Sequence, residues 1–173
     1  DGTESGTVMV KDIRPDGASG RPLYLTAVGD LLFFRAAGSH DNGNDWDLWR
    51  SDGTEAGTIQ LTSSDFQNPG SFKAIGDILF FRFQDTTANG FEMWRSDGTV
   101  AGTEMIDITP DPYRSSNSFG FTLLGSTVYF SADNALGNDP GATGLELHAH
   151  DPTNITLDAP PPASWRAEPA LPA

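Results

Sequence analysis

"DLWRSDGTEAGT", residues 47–58, and "EMWRSDGTVAGT", residues 92–103, are nearly one phrase written twice. Each begins with a short run of apolar and polar residues that suits a strand, and then passes into Asp-Gly-Thr and Gly-Thr. Asp-Gly supplies a backbone position that tolerates positive φ at a tight turn, and short Asp and Thr side chains bond nearby amides. The phrase therefore predicts a strand, a reversal and a second strand, made twice in the same shape. Asp-Gly-Thr also stands at residues 1–3 with Gly-Thr at 6–7, so the copies begin at 1, 52 and 97, spaced by 51 and 45 residues. Between the copies lies a second landmark: "VGDLLFFRA" from Val28, "IGDILFFRF" from Ile75 and "LGSTVYFSA" from Leu124. A third landmark, "DLWRS", "EMWRS" and the weaker "ELHAH", closes each unit.

Recurrence at this period is the mark of a repeat architecture. Apolar and β-branched clusters separated by Gly, Pro, Asn and Asp predict four short strands per unit. In the first unit these are expected at Thr7–Ile13, Leu23–Val28, Leu31–Ala36 and Asp47–Ser51. Phe33–Phe34, Phe80–Phe81 and Tyr129–Phe130 put large side chains on both faces of one strand, because successive residues point oppositely. A strand of that kind needs cover on both sides, as in sheets stacked face to face. The expected fold is all-β, with antiparallel four-stranded units arranged like the blades of a β-propeller. Three blades fall below the usual four to eight, so the ring is expected to be completed by further sequence or by oligomerisation. The units are drawn as 1–51, 52–96 and 97–150, the last with a degenerate end, followed by a Pro/Ala-rich tail, 151–173, that reads as a linker or extended arm. A chain that opens on Asp-Gly-Thr reads as a piece of a longer polypeptide.

Leu-Trp-Arg-Ser-Asp-Gly-Thr followed by Gly-Thr resembles the bacterial ELWxxDGT repeat family. The resemblance spans nearly residues 1–150 and rests on the register of Trp, Asp-Gly-Thr and Gly-Thr. It implies a propeller-like member of a class of large, often exported repeat proteins with no common catalytic activity. Asp47 stands where the family motif has Glu, and Met93 where it has Leu. Glu146-Leu147 keeps the motif, but His148 replaces Trp and no Asp-Gly-Thr follows.

The 24 acidic and 10 basic residues give a formal charge of -14. No Lys/Arg cluster answers to a phosphate backbone, which argues against nucleic acid and anionic membranes as partners. An acidic surface suits a protein partner or divalent cations. No apolar run is long enough for a membrane helix. The absence of cysteine removes disulfides, thiolate metal sites and Cys nucleophiles.

Asp47, Glu92 and Glu146 recur at one position in the three units. They are expected to accept hydrogen bonds from backbone or from Arg50 and Arg95 at a blade corner. "HDNGNDWD", residues 40–47, concentrates oxygen donors, and Asp41, Asn42, Asn44, Asp45 and Asp47 form a candidate calcium set. His148 and His150 on one strand would face the same side. Trp49 and Trp94 occupy equivalent positions and are expected to sit between blades, whereas Trp46, read as a loop residue, and Trp165 in the tail are the candidates for partner contact. No Ser-elbow, P-loop or dinucleotide motif stands out. The expectation is a non-catalytic scaffold or protein-interaction module with no catalytic residues and no required cofactor, calcium being the one candidate. It would be an accessory subunit or segment of a larger extracytoplasmic protein, periplasmic or secreted, binding a protein partner or its own copies. The alternative is a carbohydrate-binding or carbohydrate-active domain, calcium-dependent in one form, using the loop acids and Trp46.

Overall fold

The computed structural model describes residues 2–37, 46–62, 68–84, 90–106, 108, 115–133 and 144–151. These residues contain no helix and build three antiparallel sheets. Sheet 1 takes β1 (Leu23–Val28), β2 (Leu31–Ala37), β3 (Trp46–Ser51) and β4 (Ile59–Gln60) in that order. Sheet 2 repeats the order with β5 (Gly70–Ile75), β6 (Ile78–Gln84), β7 (Phe91–Ser96) and β8 (Glu104–Ile106). Sheet 3 has β9 (Phe119–Leu124), β10 (Thr127–Asp133) and β11 (Leu145–His150). No helix among the described residues is long and apolar enough to cross a membrane.

Each sheet opens with the same hairpin. Val28 faces Leu31, Ile75 faces Ile78 and Leu124 faces Thr127 across two-residue loops. The first loop residue is Gly29, Gly76 or Gly125, each at positive φ, as a type II′ hairpin requires. The first strand then carries one extra residue, with the register shifting between Leu23 and Thr26, between Gly70 and Lys73, and between Phe119 and Thr122. Tyr24, Ser71 and Gly120 sit at that bulge, all with positive φ. The backbone geometry is thus repeated three times although only one unit has glycine there.

The sheets are offset from the units drawn at 1–51, 52–96 and 97–150. The Asp-Gly-Thr turn joins β3 to β4, and β7 to β8, within one sheet, so each sheet is completed by the strand that follows the turn. Thr7–Ile13, expected as a strand of the first unit, lies in no strand. Its place after Gly6-Thr7 matches β4 and β8, which are fourth strands of the preceding sheet, and among the described residues it has no such sheet to join.

The doubled aromatic residues of sheet 2 are covered on both faces as expected; Phe34 and Tyr129, at the two ends of the row, have no second sheet over them among the described residues. Phe33 and Leu48 of sheet 1 meet Leu79, Phe81 and Phe83 of sheet 2 in one buried cluster. Phe80 and Met93 on the other face of sheet 2 meet Phe121, Val128 and Phe130 of sheet 3 in a second. On the outer face of sheet 1, Phe34 and Trp49 stack with ring centroids 6.5 Å apart and are covered by Ile13. The first strands lie side by side, β1 against β5 and β5 against β9.

Candidate functional site

The Asp-Gly-Thr turn is closed by its own side chains. Asp52 Oδ1 accepts from the Thr54 amide at 2.9 Å and the Thr54 hydroxyl at 2.7 Å, while Thr54 Oγ1 accepts from the Gly57 amide at 2.9 Å. A hydroxyl relay completes it: the Gly53 amide donates to Ser51 Oγ at 3.0 Å, Ser51 Oγ lies 2.7 Å from Thr58 Oγ1, and the Thr58 hydroxyl donates to the Thr54 carbonyl at 2.6 Å. Ser96, Asp97, Thr99, Gly102 and Thr103 make the same set. In the first copy, the Thr3 hydroxyl likewise accepts from the Gly6 amide, and the Thr7 hydroxyl donates to the Thr3 carbonyl. The second glycine of the phrase is needed for room, because a Cβ on Gly57 or Gly102 would run into the Asp52 or Asp97 carboxylate. Thr54 donates two of the hydrogen bonds to Asp52 and, with side-chain bonding as the larger cause, holds its carboxyl below the usual range. The polar groups of the turn satisfy one another, which leaves the motif as a fold element.

The three recurrent acids divide. Asp47 is buried on β3 and accepts from Gln60 Nε2 at 2.9 Å and Thr62 Oγ1 at 3.2 Å. Glu92 is buried on β7 and accepts from the Ser116 amide at 2.8 Å, which ties sheet 2 to the segment leading into sheet 3. Glu146 is exposed on β11. Arg50 donates to the Gly57 carbonyl at 3.2 Å and Arg95 pairs with Glu104, so the arginines brace the turn and the fourth strand. Of the candidate calcium set, only Asp47 is described, and its oxygens point at Gln60 and Thr62; Asp41, Asn42, Asn44 and Asp45 lie outside the described residues, as do His40 and Trp165. Among the described residues, no three His, Asp or Glu side chains gather as a metal site would need.

Trp46 differs from its reading as a loop residue: it opens β3 and is half-buried. Arg35 lies over its ring at 4.5 Å and over Tyr24 at 4.6 Å. Arg82 lies over Phe91, the counterpart of Trp46 in sheet 2, at 4.4 Å, so one face of Trp46 is spent on a cation–π contact that the repeat makes twice. Trp94 packs between sheets 1 and 2 as expected, edge-on to Phe83 at 5.0 Å, whereas Trp49 lies on the outer face of sheet 1 against Phe34, with no second sheet over it among the described residues. His148 takes the place of the tryptophan in sheet 3 and stacks on Phe130 at 5.7 Å, while His150 meets Phe80 edge-on at 6.4 Å. The two histidines do face one side, toward sheet 2. Burial, with Arg95 adding to it, lowers the His150 pKa below the ordinary value.

What sequence reasoning missed is the far face of sheet 3. Val28 and Leu48 in sheet 1, and Ile75 and Met93 in sheet 2, are buried against the next sheet. Their counterparts in sheet 3 are Leu124 and Leu147, 70% and 76% exposed, with Leu145 exposed beside them. Among the described residues β11 pairs with β10 alone, where β3 and β7 each carry a further strand. The signal was present in the alignment of the three "ELHAH"-type segments: Leu147 falls where Leu48 and Met93 fall, so it carries an interior side chain at the end of the row.

Comparison with protein-family models, with curated proteins and with solved structures gives no match.

Proposed function

We propose that the chain is a non-catalytic scaffold or protein-interaction module of propeller type, part of a larger extracytoplasmic assembly as the ELWxxDGT resemblance implies. The observation that carries this reading is the pair Leu124 and Leu147, exposed at positions whose counterparts are buried in both other sheets. Apolar side chains gathered on a sheet face left open, beside a strand edge left unpaired, among the described residues favour contact with another protein surface. The residues that recur support the same reading: Asp52, Thr54 and Thr58, and their equivalents in the next copy, bond to one another. A residue repeated in every unit serves the unit. The extracytoplasmic part rests on the repeat phrase alone.

The test is the native mass of the full chain, alone and as purified from its source, over a range of concentrations. An assembly heavier than the 18.5 kDa chain is the expected result. A chain that stays at its own mass throughout and co-purifies with nothing sinks the reading.

A further inference from the structure

Building on that reading, we propose the occupant of the open end: residues Thr7–Lys11 of a second copy of this chain add to the edge of β11 that is unpaired among the described residues, as the fourth strand of sheet 3, and sheet 1 of that copy covers Leu124 and Leu147. The repeat itself supplies the argument. In sheets 1 and 2 the fourth strand begins right after the Gly-Thr of the turn, with Ile59 opposite Arg50 and Gln60 opposite Trp49, and with Glu104 opposite Arg95 and Met105 opposite Trp94. Sheet 3 has no Asp-Gly-Thr after β11. The chain does hold one Gly-Thr, residues 6–7, whose turn bonds are made and whose following strand-like residues are in no sheet. Val8 and Met9 there are 75% and 77% exposed.

The register follows from the two complete sheets. Val8 lies opposite Ala149, Met9 opposite His148 and Val10 opposite Leu147. Val10 then corresponds to Leu61 and Ile106, which fill the clusters between sheets 1 and 2 and between sheets 2 and 3. It enters the third such space, between Leu147 of one copy and the Phe34 and Trp49 face of the other, with Ile13 already on that face. The exposed apolar groups at the two ends of the row thus acquire the partners that their counterparts have inside the row. The contact is head-to-tail, so it closes only as a ring. Two copies bring together six of the described sheets, inside the usual range of four to eight.

The chain has no cysteine, so a Val8→Cys/Ala149→Cys double variant of the full chain carries the only thiols. Residues opposite each other in an antiparallel pair have Cα atoms about 4.5–5.5 Å apart, within disulfide reach. Mild oxidation is expected to give a covalent dimer of two chains, while a Val8→Cys/Glu146→Cys control, out of register, does not. Leu147→Lys, at an exposed site that leaves the single chain folded, is expected to weaken the native dimer by about tenfold or more with unchanged circular dichroism. If the Val8→Cys/Ala149→Cys variant dimerises yet forms no disulfide between its two chains, the strand exchange is overturned, and a disulfide closed within one chain overturns it equally. A monomer that instead co-purifies with a different protein overturns it too, yet leaves the interaction-module reading standing.

Discussion

Sheets 2 and 3 are built to one plan and end in different surroundings. They share the glycine hairpin, the bulge after the first residue of the first strand, and a three-strand register. Sheet 2 is covered on both faces, by Phe33 and Leu48 on one side and by Phe121 and Phe130 on the other. Among the described residues, sheet 3 is covered on one. The difference lies in what each sheet has for neighbours, since the side chains at matching positions are of similar kind: Met93 and Leu147, Ile75 and Leu124. Burial here is a property of position in the row, and a buried-type residue left exposed marks the end of the row among the described residues.

The largest effect is expected from truncation at matched faces. Phe80→Ala, which empties a fully buried site between sheets 2 and 3, is expected to destabilise the chain by about 3–5 kcal/mol in urea unfolding. Leu147→Ala measured on the dissociated chain should stay within about 0.5 kcal/mol. Equal losses would mean that Leu147 is buried in the single chain and that the open face does not exist.

A finer contrast sets the two turns against each other. Gly53 and Gly98 both have φ near +90°, but a Cβ at Gly53 meets nothing whereas one at Gly98 would come within 2.5 Å of Leu31 Cδ1 on the neighbouring sheet. Gly53→Ala is expected to cost about 1–2 kcal/mol for the left-handed backbone alone. Gly98→Ala should add about 0.5–1.5 kcal/mol, because Leu31 has to turn off its rotamer to make room, read as a lower midpoint in the same denaturation series. If the two variants unfold together, Leu31 turns aside without cost.

The smallest effect expected is in pH dependence. His150 stands on β11 where Ser51 and Ser96 anchor the turns of the other sheets, and its pKa is lowered chiefly by burial. The folded state therefore holds the neutral ring, and the unfolded state takes up the proton first. Stability attributable to His150 is complete above about pH 6.5 and falls as pH drops below the unfolded value toward the lower folded one. The side chain is only partly buried, so solvent screening keeps this contribution below those of the core and turn variants. Thermal melts between about pH 7.5 and about pH 5.5, a window that brackets the ordinary histidine value, should show a decline that His150→Asn reduces; an identical decline in the variant would assign it to other groups.

Turn chemistry was legible in the sequence because Asp-Gly-Thr and Gly-Thr state their own conformation: the positive φ of Gly53 and Gly98 and the side-chain oxygens that cap the amides are all local. Both-sided burial of Phe33–Phe34 and Phe80–Phe81 was legible for the same reason, through the two-residue period of a strand. The phase of the repeat was not. A periodic sequence reads alike whether the unit starts before or after its turn, and only the pairing of Ile59 with Arg50 assigns the later strand to the earlier sheet. Thr7–Ile13 reads as a strand because β propensity describes the side chains and says nothing about whether an edge is within reach. Trp46 reads as part of the preceding Asn/Asp-rich loop, since nothing in composition says that Arg35 would draw its ring onto the sheet. Of the residues named for calcium and partner contact, only Asp47 and Trp46 can be placed, and both are engaged with neighbours in sheet 1.

The self-contained turn from Ser51 to Thr58 has a consequence for how such a chain changes length over generations. Because the Ser, Asp and Thr hydrogen bonds that close it are made among its own residues, with only Lys11 and Arg50 reaching in from earlier in the chain, a tandem duplication or deletion joined at this phrase leaves no broken ladder at the seam. A change of array length by one whole unit at this seam then adds or removes one sheet and keeps the turn intact.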